Sequence, residues 1–147
     1  MKNRSLFSTG NIFHPFVVID RLLNPYNHDT VIDLDSKSCT ISCTRRAQQA
    51  LEQLHEQLVI EMQLYFSCVV KKRVLIHHGE QSFSTSPVAD HFSIAFHTVE
   101  AASCDPEEFA RHFPARRILD SEGARKMHPR NLKVDYKNGE WQGEFQV

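Results

Sequence analysis

Hydrophobic and polar residues alternate with a period of two between positions 59 and 78. The even-numbered positions from 60 to 76 are apolar except for Lys72, whereas the odd-numbered positions mix apolar, polar and charged side chains. Because successive side chains of a strand point to opposite faces, this pattern predicts a β-strand with one apolar face on a core. A strand of 20 residues would extend over roughly 66 Å, so we expect a bend or bulge near residues 71–73. Its charged residues exclude a membrane span.

A period typical of a helix precedes this strand. Four apolar residues share one stripe of that helix, namely Ala47, Leu51, Leu54 and Leu58. Thr44 is placed to cap the first turn with its hydroxyl oxygen. We expect this segment to be the main helix of the fold, packed on the apolar face of the sheet.

The last residues of the chain predict a β-hairpin around Asn138-Gly139, a two-residue sequence that favours a tight hairpin turn. That turn places apolar pairs on one face of the hairpin and opposite charges on the other. The expected cross-strand pairs are Tyr136 with Trp141, Leu132 with Phe145, Lys137 with Glu140, and Lys133 with Glu144.

Three further segments predict strands, at residues 16–22, 30–35 and 92–97. The last of these is expected to form a hairpin with the long strand, across a loop centred near Phe83. Asp105 as an N-cap, Pro106 in the first turn and Pro114 as a stop predict a short second helix.

These elements predict a single α+β domain over residues 1–147, with residues 1–11 as a poorly ordered N-terminus. The expected architecture is one antiparallel sheet of about six strands with one main helix packed on its apolar face. A chain of 147 residues is long enough to bury a sizeable core without disulfides or metals.

The composition narrows the classes of partner. Seventeen basic and 18 acidic side chains give a formal net charge of −1, so no overall field attracts nucleic acid or an anionic bilayer, and we expect neither as a partner. The first residues contain no apolar run long enough for a secretory signal, and we expect a cytoplasmic protein. The four cysteines are then expected as reduced thiols.

Three of these cysteines raise the question of a metal site. Cys39, Cys43 and Cys68 could meet at one end of the sheet, but zinc would need a fourth ligand that no matching pair supplies. Cys68 also falls on the apolar positions of the long strand, where a buried free thiol is ordinary. We therefore predict no metal and no cofactor.

Arg45 and Arg46 stand in the first turn of the main helix, where the helix dipole disfavours cations. Two guanidinium groups beside the exposed N–H groups of a helix start would suit an anionic small molecule. The alternative is that both arginines point into water or pair with Asp33 or Asp35.

The odd-numbered face of the long hairpin supplies the other candidate ligand-binding residues. These are Glu61, Tyr65, Arg73, His91 and His97, which together could line a pocket for a polar ligand or support acid–base catalysis. The alternative is a polar face that is simply solvated.

The sequence contains no nucleophile–base pair, glycine-rich phosphate loop or complete metal set, so we predict no catalytic residue. A non-catalytic ligand-binding or protein-interaction module is the favoured function, with a homodimer through the sheet surface or edge as one form of partner. The alternative is a small enzyme or metal-binding protein that uses Cys39, Cys43 and Cys68 or the sheet face with His91 and His97. Whether the protein is an enzyme stays open at this point.

Overall fold

The computed structural model describes residues 15–66, 70–101, 116–118 and 122–147. The helices are α1 (Pro15–Leu23), α2 (Arg45–Glu52) and the single turn α3 (Glu122–Arg125). The strands are β1 (Tyr26–Leu34), β2 (Lys37–Thr44), β3 (Leu58–Phe66), β4 (Val70–His78), β5 (Ser86–Ala89), β6 (Phe92–Ala101), β7 (Arg116–Ile118), β8 (Asn131–Lys137) and β9 (Glu140–Gln146). Within these ranges no helix is long and apolar enough to cross a membrane.

The strands form two mixed sheets. Sheet A has the order β1-β2-β8-β9, and sheet B has the order β4-β3-β6-β5 with β7 paired to β6. Each sheet contains one parallel pair, β2 with β8 and β3 with β6. The α+β class is confirmed, whereas the single antiparallel sheet of about six strands with one main helix is wrong. A parallel pair needs a long crossover, and no local sequence pattern reveals which strands it joins.

The alternating segment from 59 to 78 is not one bent strand but two strands, β3 and β4. They pair antiparallel, with Leu58 opposite His78 and Phe66 opposite Val70. The chain thus reverses between 66 and 70, whereas only a bend or bulge near 71–73 was expected. Because even-numbered residues pair with even-numbered ones, as in Ile60 with Ile76, the reversal leaves the assignment of side chains to faces unchanged.

The long strand was also expected to form a hairpin with residues 92–97, and this pairing is wrong. Strand β6 pairs with β3 in parallel, and its short antiparallel partner is β5. Residues 16–22, expected as a strand, belong to helix α1. Pro15 suits the first helical position, and apolar residues recur there at helical as well as at strand spacing.

Several local predictions are confirmed. Residues 30–34 lie in β1, and the C-terminal hairpin has all four expected pairs in the expected register. Asn138 and Gly139 at its turn have φ angles of 53° and 77°, the left-handed values that this type of turn requires.

Helix α2 is capped as expected, since the Thr44 hydroxyl oxygen accepts a hydrogen bond from the Ala47 N–H at 3.2 Å. It ends at Glu52, however, and Leu58 opens β3 instead of continuing the apolar stripe. The predicted second helix, the N-terminal residues 1–11 and Cys68 lie outside the described residues.

The core lies between the two sheets. Sheet A contributes Ile41, Leu132, Val134 and Phe145, and sheet B contributes Leu58, Ile60, Met62, Phe92 and Ile94. Ala47 and Leu51 of α2 join the same core, and α2 packs on β1, β2 and β8 of sheet A. The other face of each sheet points away from this core, and both the Glu61 cluster and the groups that hold α1 lie on these outer faces.

Gly143 on β9 marks a close approach of the two sheets. A Cβ atom at this position would lie 2.9 Å from Cγ1 of Val74 on β4, and a β-branched neighbour moves only at a cost. We expect Gly143→Ala to lower the free energy of unfolding by about 1–3 kcal/mol, measured by urea denaturation. Gly123→Ala is the matched control, because a Cβ atom at residue 123 would meet no other atom within 4 Å and alanine favours a helix. Equal effects of the two substitutions would contradict this packing.

Candidate functional site

A buried carboxylate lies at the centre of sheet B. Glu61 is 2% exposed and sits on β3, which is flanked by β4 on one side and β6 on the other. Its side chain points away from the core, on the same face as Val59, Gln63 and Tyr65, which are also buried. The alternative of a solvated polar face is therefore wrong for β3.

Two histidines from the flanking strands bind this carboxylate. Nε2 of His77 on β4 lies 2.9 Å from Oε1 of Glu61, and Nδ1 of His97 on β6 lies 2.8 Å from Oε2. His77 stands opposite Val59 and His97 stands opposite Gln63, so the rings approach Glu61 along opposite diagonals. Diagonal neighbours in a sheet are within reach of long side chains.

Gln63 supplies a third donor and an unsatisfied acceptor. Its Nε2 donates to Oε2 of Glu61 at 2.7 Å. Its Oε1 is buried and has no hydrogen-bond partner in the part of the chain that the structure describes, which is rare because an unpaired buried acceptor costs about 1–3 kcal/mol. This oxygen is a position where a bound molecule would add a hydrogen bond.

Phe83 lies edge-on against both imidazoles. Its ring centroid is 5.5 Å from that of His77 and 5.1 Å from that of His97, in T-shaped arrangements. Phe83 belongs to the loop between β4 and β5. The loop therefore places an apolar ring beside the polar cluster and limits the water that reaches it, which strengthens the electrostatic contacts inside.

The hydrogen bonds decide the charge of Glu61. Burial alone would raise the pKa of its carboxyl, but the hydrogen bonds from His97, Gln63 and His77 lower that pKa to about 2. An ionised carboxylate only accepts, so each nitrogen that faces it must carry the hydrogen. His77 is then protonated on Nε2 and His97 on Nδ1, and in the neutral rings Nδ1 of His77 and Nε2 of His97 keep free lone pairs.

The structure brings together some of the residues expected at this face. Glu61 and His97 are in direct contact, Tyr65 is fully buried four residues from Glu61 along β3, and Arg73 stands opposite Gln63 on β4. His91 is not part of the cluster, because it occupies the exposed turn between β5 and β6 with a φ angle of 58°.

The arginines of α2 do not form the expected anion site. Arg45 is exposed, whereas the guanidinium of Arg46 forms paired hydrogen bonds of 2.7 Å to Asp135 and of 2.9 Å to Asp20. Two carboxylates already neutralise Arg46, and they are not Asp33 or Asp35, the partners that the sequence suggested.

Asp135 is fully buried at the centre of this second cluster. Burial alone would raise its pKa, but hydrogen bonds from Arg46, the Thr44 hydroxyl and the Tyr136 N–H lower it to about 2. The hydrogen bond from Arg46 likewise lowers the pKa of Asp20 to about 2. These groups fasten α1 and the start of α2 to β8.

The two thiols that the structure describes, Cys39 and Cys43, are too far apart to share a metal ion. Cys39 and Cys43 lie in the core, and residues four apart on one strand are roughly 13 Å apart, too far to share an ion with Zn–S bonds of about 2.3 Å. Burial raises the pKa of both, to about 11 for Cys43, which disfavours the thiolate. In the part of the chain that the structure describes, no group of three or more potential ligands is placed to hold a metal ion.

Sequence reasoning missed His77 and Phe83 as members of the site. The alternation of polar and apolar positions was the available signal for His77, because it places this residue on the same face as Glu61 and Gln63. The reversal between β3 and β4 was not expected, so His77 was placed at the far end of one long strand and its contact with Glu61 was hidden.

Comparisons with protein-family models, with curated proteins and with solved structures find no match for this chain.

The two histidines should differ in tautomer. We expect nitrogen-15 NMR, at a pH where both rings are neutral, to show the Nε2–H form for His77 and the Nδ1–H form for His97, because each facing nitrogen donates to Glu61. Exposed His91 serves as the internal reference and should show a mixture of tautomers.

Glu61→Gln sharpens this experiment. Oε2 of Glu61 accepts from both Gln63 and His97, whereas Oε1 accepts only from His77 among the described residues. The introduced amide should therefore keep its oxygen toward His97 and turn its NH2 toward His77, which changes the tautomer of His77 alone. Identical tautomers in the original protein, or no change at His77 in the variant, would refute the assigned network.

The Arg46 cluster should govern acid stability. Asp20 and Asp135 have folded pKa values of about 2, below the ordinary 3.8, so they stabilise the fold above about pH 4 and lose that contribution as the pH falls toward 2. We expect Arg46→Met to lower the free energy of unfolding at neutral pH by about 3–5 kcal/mol, because it leaves buried Asp135 without its guanidinium. It should also flatten the pH dependence below about pH 4. Urea denaturation at a series of pH values measures both effects.

Arg45→Met is the matched control for this substitution. Arg45 is the exposed neighbour of Arg46, and we expect its replacement to change the free energy of unfolding by no more than about 0.5 kcal/mol. Similar losses in the two variants would show that helix propensity, and not the ion pairs, explains the effect.

Proposed function

We propose that the protein is a non-catalytic binding module whose ligand is a small molecule rich in N–H or O–H donors, held beside the Glu61 carboxylate. The observation that carries this proposal is the buried Oε1 of Gln63, which has no hydrogen-bond partner among the described residues. It lies in a cluster whose remaining positions without a described partner, Nδ1 of His77 and Nε2 of His97, are also acceptors.

The free energy needed to bury the Glu61 carboxylate supports a role in binding. Removing an ionised carboxylate from water costs several kcal/mol, and an apolar side chain of similar volume commonly gives equal or greater stability. Glu61 nevertheless occupies the central strand, with three donors that keep its pKa low. Perturbed pKa values of this kind are concentrated at functional sites.

The charge of the site selects its ligand. A permanent carboxylate repels anions and favours neutral or cationic molecules, so amines, guanidines and polyols fit better than the anionic ligand suggested by the two arginines. The acceptors that remain free require donors on the ligand. Phe83 offers an apolar contact for the carbon skeleton of such a molecule.

Acid–base catalysis is the second candidate, and one observation favours it. Glu61 fixes the tautomer of two imidazoles, as a carboxylate does for a histidine that acts as a general base. This alternative requires a reacting group placed against a free ring nitrogen. Consumption of a probe molecule during the binding experiment would support catalysis over binding alone.

The test follows the ring nitrogens while small probes are added. Methylguanidinium, ethanolamine and glycerol are the donor-rich probes, and acetate and phosphate are the acceptor-rich ones. We expect the donor-rich set to shift the NMR signals of Nδ1 of His77 and Nε2 of His97 and to saturate, because these nitrogens are free acceptors. The acceptor-rich set should leave both signals in place.

Paired glutamine variants give the control. Gln63→Leu removes the unsatisfied oxygen and should weaken probe binding about tenfold, a loss of about one hydrogen bond. Gln57→Leu removes a glutamine of the same sheet that donates to the Ser93 hydroxyl at 2.8 Å, and it should leave probe affinity unchanged. Equal shifts from both probe sets, or equal affinities of the two variants, would overturn the proposal.

A further inference from the structure

Helix α1 carries an unusual concentration of exposed apolar side chains. Six of the ten large apolar side chains that are exposed among the described residues lie on α1, and no residue of this helix is buried. Ile19 is 52% exposed, and Leu22 and Leu23 are each 75% exposed. Soluble monomers rarely leave a contiguous apolar patch of this size uncovered.

The polar side of α1 is bound to the rest of the protein. Asp20 pairs with Arg46 and with Lys137 at 3.3 Å, and Arg21 lies 3.5 Å from Asp135 and stacks on the ring of Tyr26. These contacts fix α1 on the face of sheet A that points away from sheet B. Both sheets therefore separate α1 from the Glu61 site.

The apolar side of α1 points the opposite way. At 100° per residue, Ile19, Leu22 and Leu23 lie within one arc of roughly 100°, and Asp20 and Arg21 lie outside it. Phe16, at 75% exposure, falls on the edge of the same arc. The result is an apolar strip, which we call the α1 strip, without a charged side chain in it.

We infer that the α1 strip is the contact surface between two copies of this chain, related by a two-fold axis. A two-fold contact places each side chain against the same surface of its copy, so a strip without charges brings no like charges together. The four side chains of the strip present on the order of 500 Å², or roughly 1,000 Å² for two copies, the minimum area of a specific interface.

Charge argues against a lipid surface as the occupant. Helices that lie on membranes carry several lysines or arginines on their polar side. The polar side of α1 has one acidic and one basic residue, Asp20 and Arg21. Both already form ion pairs with residues of α2 and β8. A second copy of the chain is the occupant that this strip fits.

Sedimentation equilibrium measures the oligomer and the effect of charges in the strip. We expect twice the chain mass for the original protein at micromolar concentrations. Ile19→Glu combined with Leu23→Glu should weaken the dimer by about a hundredfold or more, because two charges per copy would be buried without partners. The milder pair Ile19→Ala and Leu23→Ala should weaken it by about tenfold or more.

The matched control carries the same charges elsewhere. Val31→Glu combined with Val70→Glu alters residues that are 64% and 59% exposed, on the edge strands β1 and β4. We expect this variant to remain dimeric with an unchanged dissociation constant. All variants should keep the unfolding free energy of the dilute monomer, since none of the four residues is buried.

Three results would overturn the inference. The first is a monomeric original protein, including one that sediments with phosphatidylcholine vesicles. The second is a dimer that tolerates both α1 variants, and the third is a dimer that the edge-strand variant dissociates, which would place the interface at a sheet edge. The Glu61 site is not involved in any of these readouts, so they leave the proposed function untouched.

Discussion

The pairing of β3 with a strand on either side is the constraint on which the rest of the structure depends. Both faces of this central strand are buried from Leu58 to Tyr65, so the sequence of β3 must satisfy two different environments. The even-numbered face packs against sheet A through apolar contacts alone. On the odd-numbered face, Glu61 and Gln63 are polar, and their hydrogen bonds tie β3 to side chains of β4 and β6.

The protein buries two carboxylates and satisfies them in different ways. Asp135 faces the guanidinium of Arg46, a group that stays charged at any pH at which the protein folds. This contact is therefore a structural ion pair. Glu61 faces two imidazoles, each of which contacts the carboxylate through one ring nitrogen and turns the other nitrogen away from it. The same low dielectric strengthens both clusters, yet among the described residues only the cluster around Glu61 keeps unused acceptors. That difference separates a structural cluster from a candidate binding site.

Local signals in the sequence predicted the local structure well. The Asn138-Gly139 turn fixed the register of β8 with β9, and Thr44 marked the start of α2, because both depend on neighbours within a few residues. The reversal between β3 and β4 carries no glycine or proline at residues 67–69, so the pattern looked like one strand. The two parallel pairs depend on contacts far apart in the chain, which periodicity does not encode.

The site shows the same division. The alternation of polar and apolar positions alone places Glu61 and His97 on one face. Their contact, however, depends on β6 lying parallel to β3, and the contact of His77 depends on the reversal of the chain between β3 and β4. The α1 segment was misread because Phe16, Ile19 and Leu22 suit either a buried strand or a helix. Its helical form is favoured by Pro15 and by the ion pairs of Asp20 and Arg21, which connect residues more than 20 positions apart.

The attachment of α1 has a consequence for ionic strength. The helix is held to its own chain by ion pairs and by the stacking of Arg21 on Tyr26, and it buries no apolar side chain there. Dissolved salt screens such partly exposed ion pairs, whereas sulfate and phosphate strengthen apolar association. A rise in sulfate concentration thus weakens the ion pairs that attach α1 to the rest of the protein, while it strengthens apolar association at the α1 strip. The same salt therefore acts in opposite directions on the polar and the apolar side of the helix.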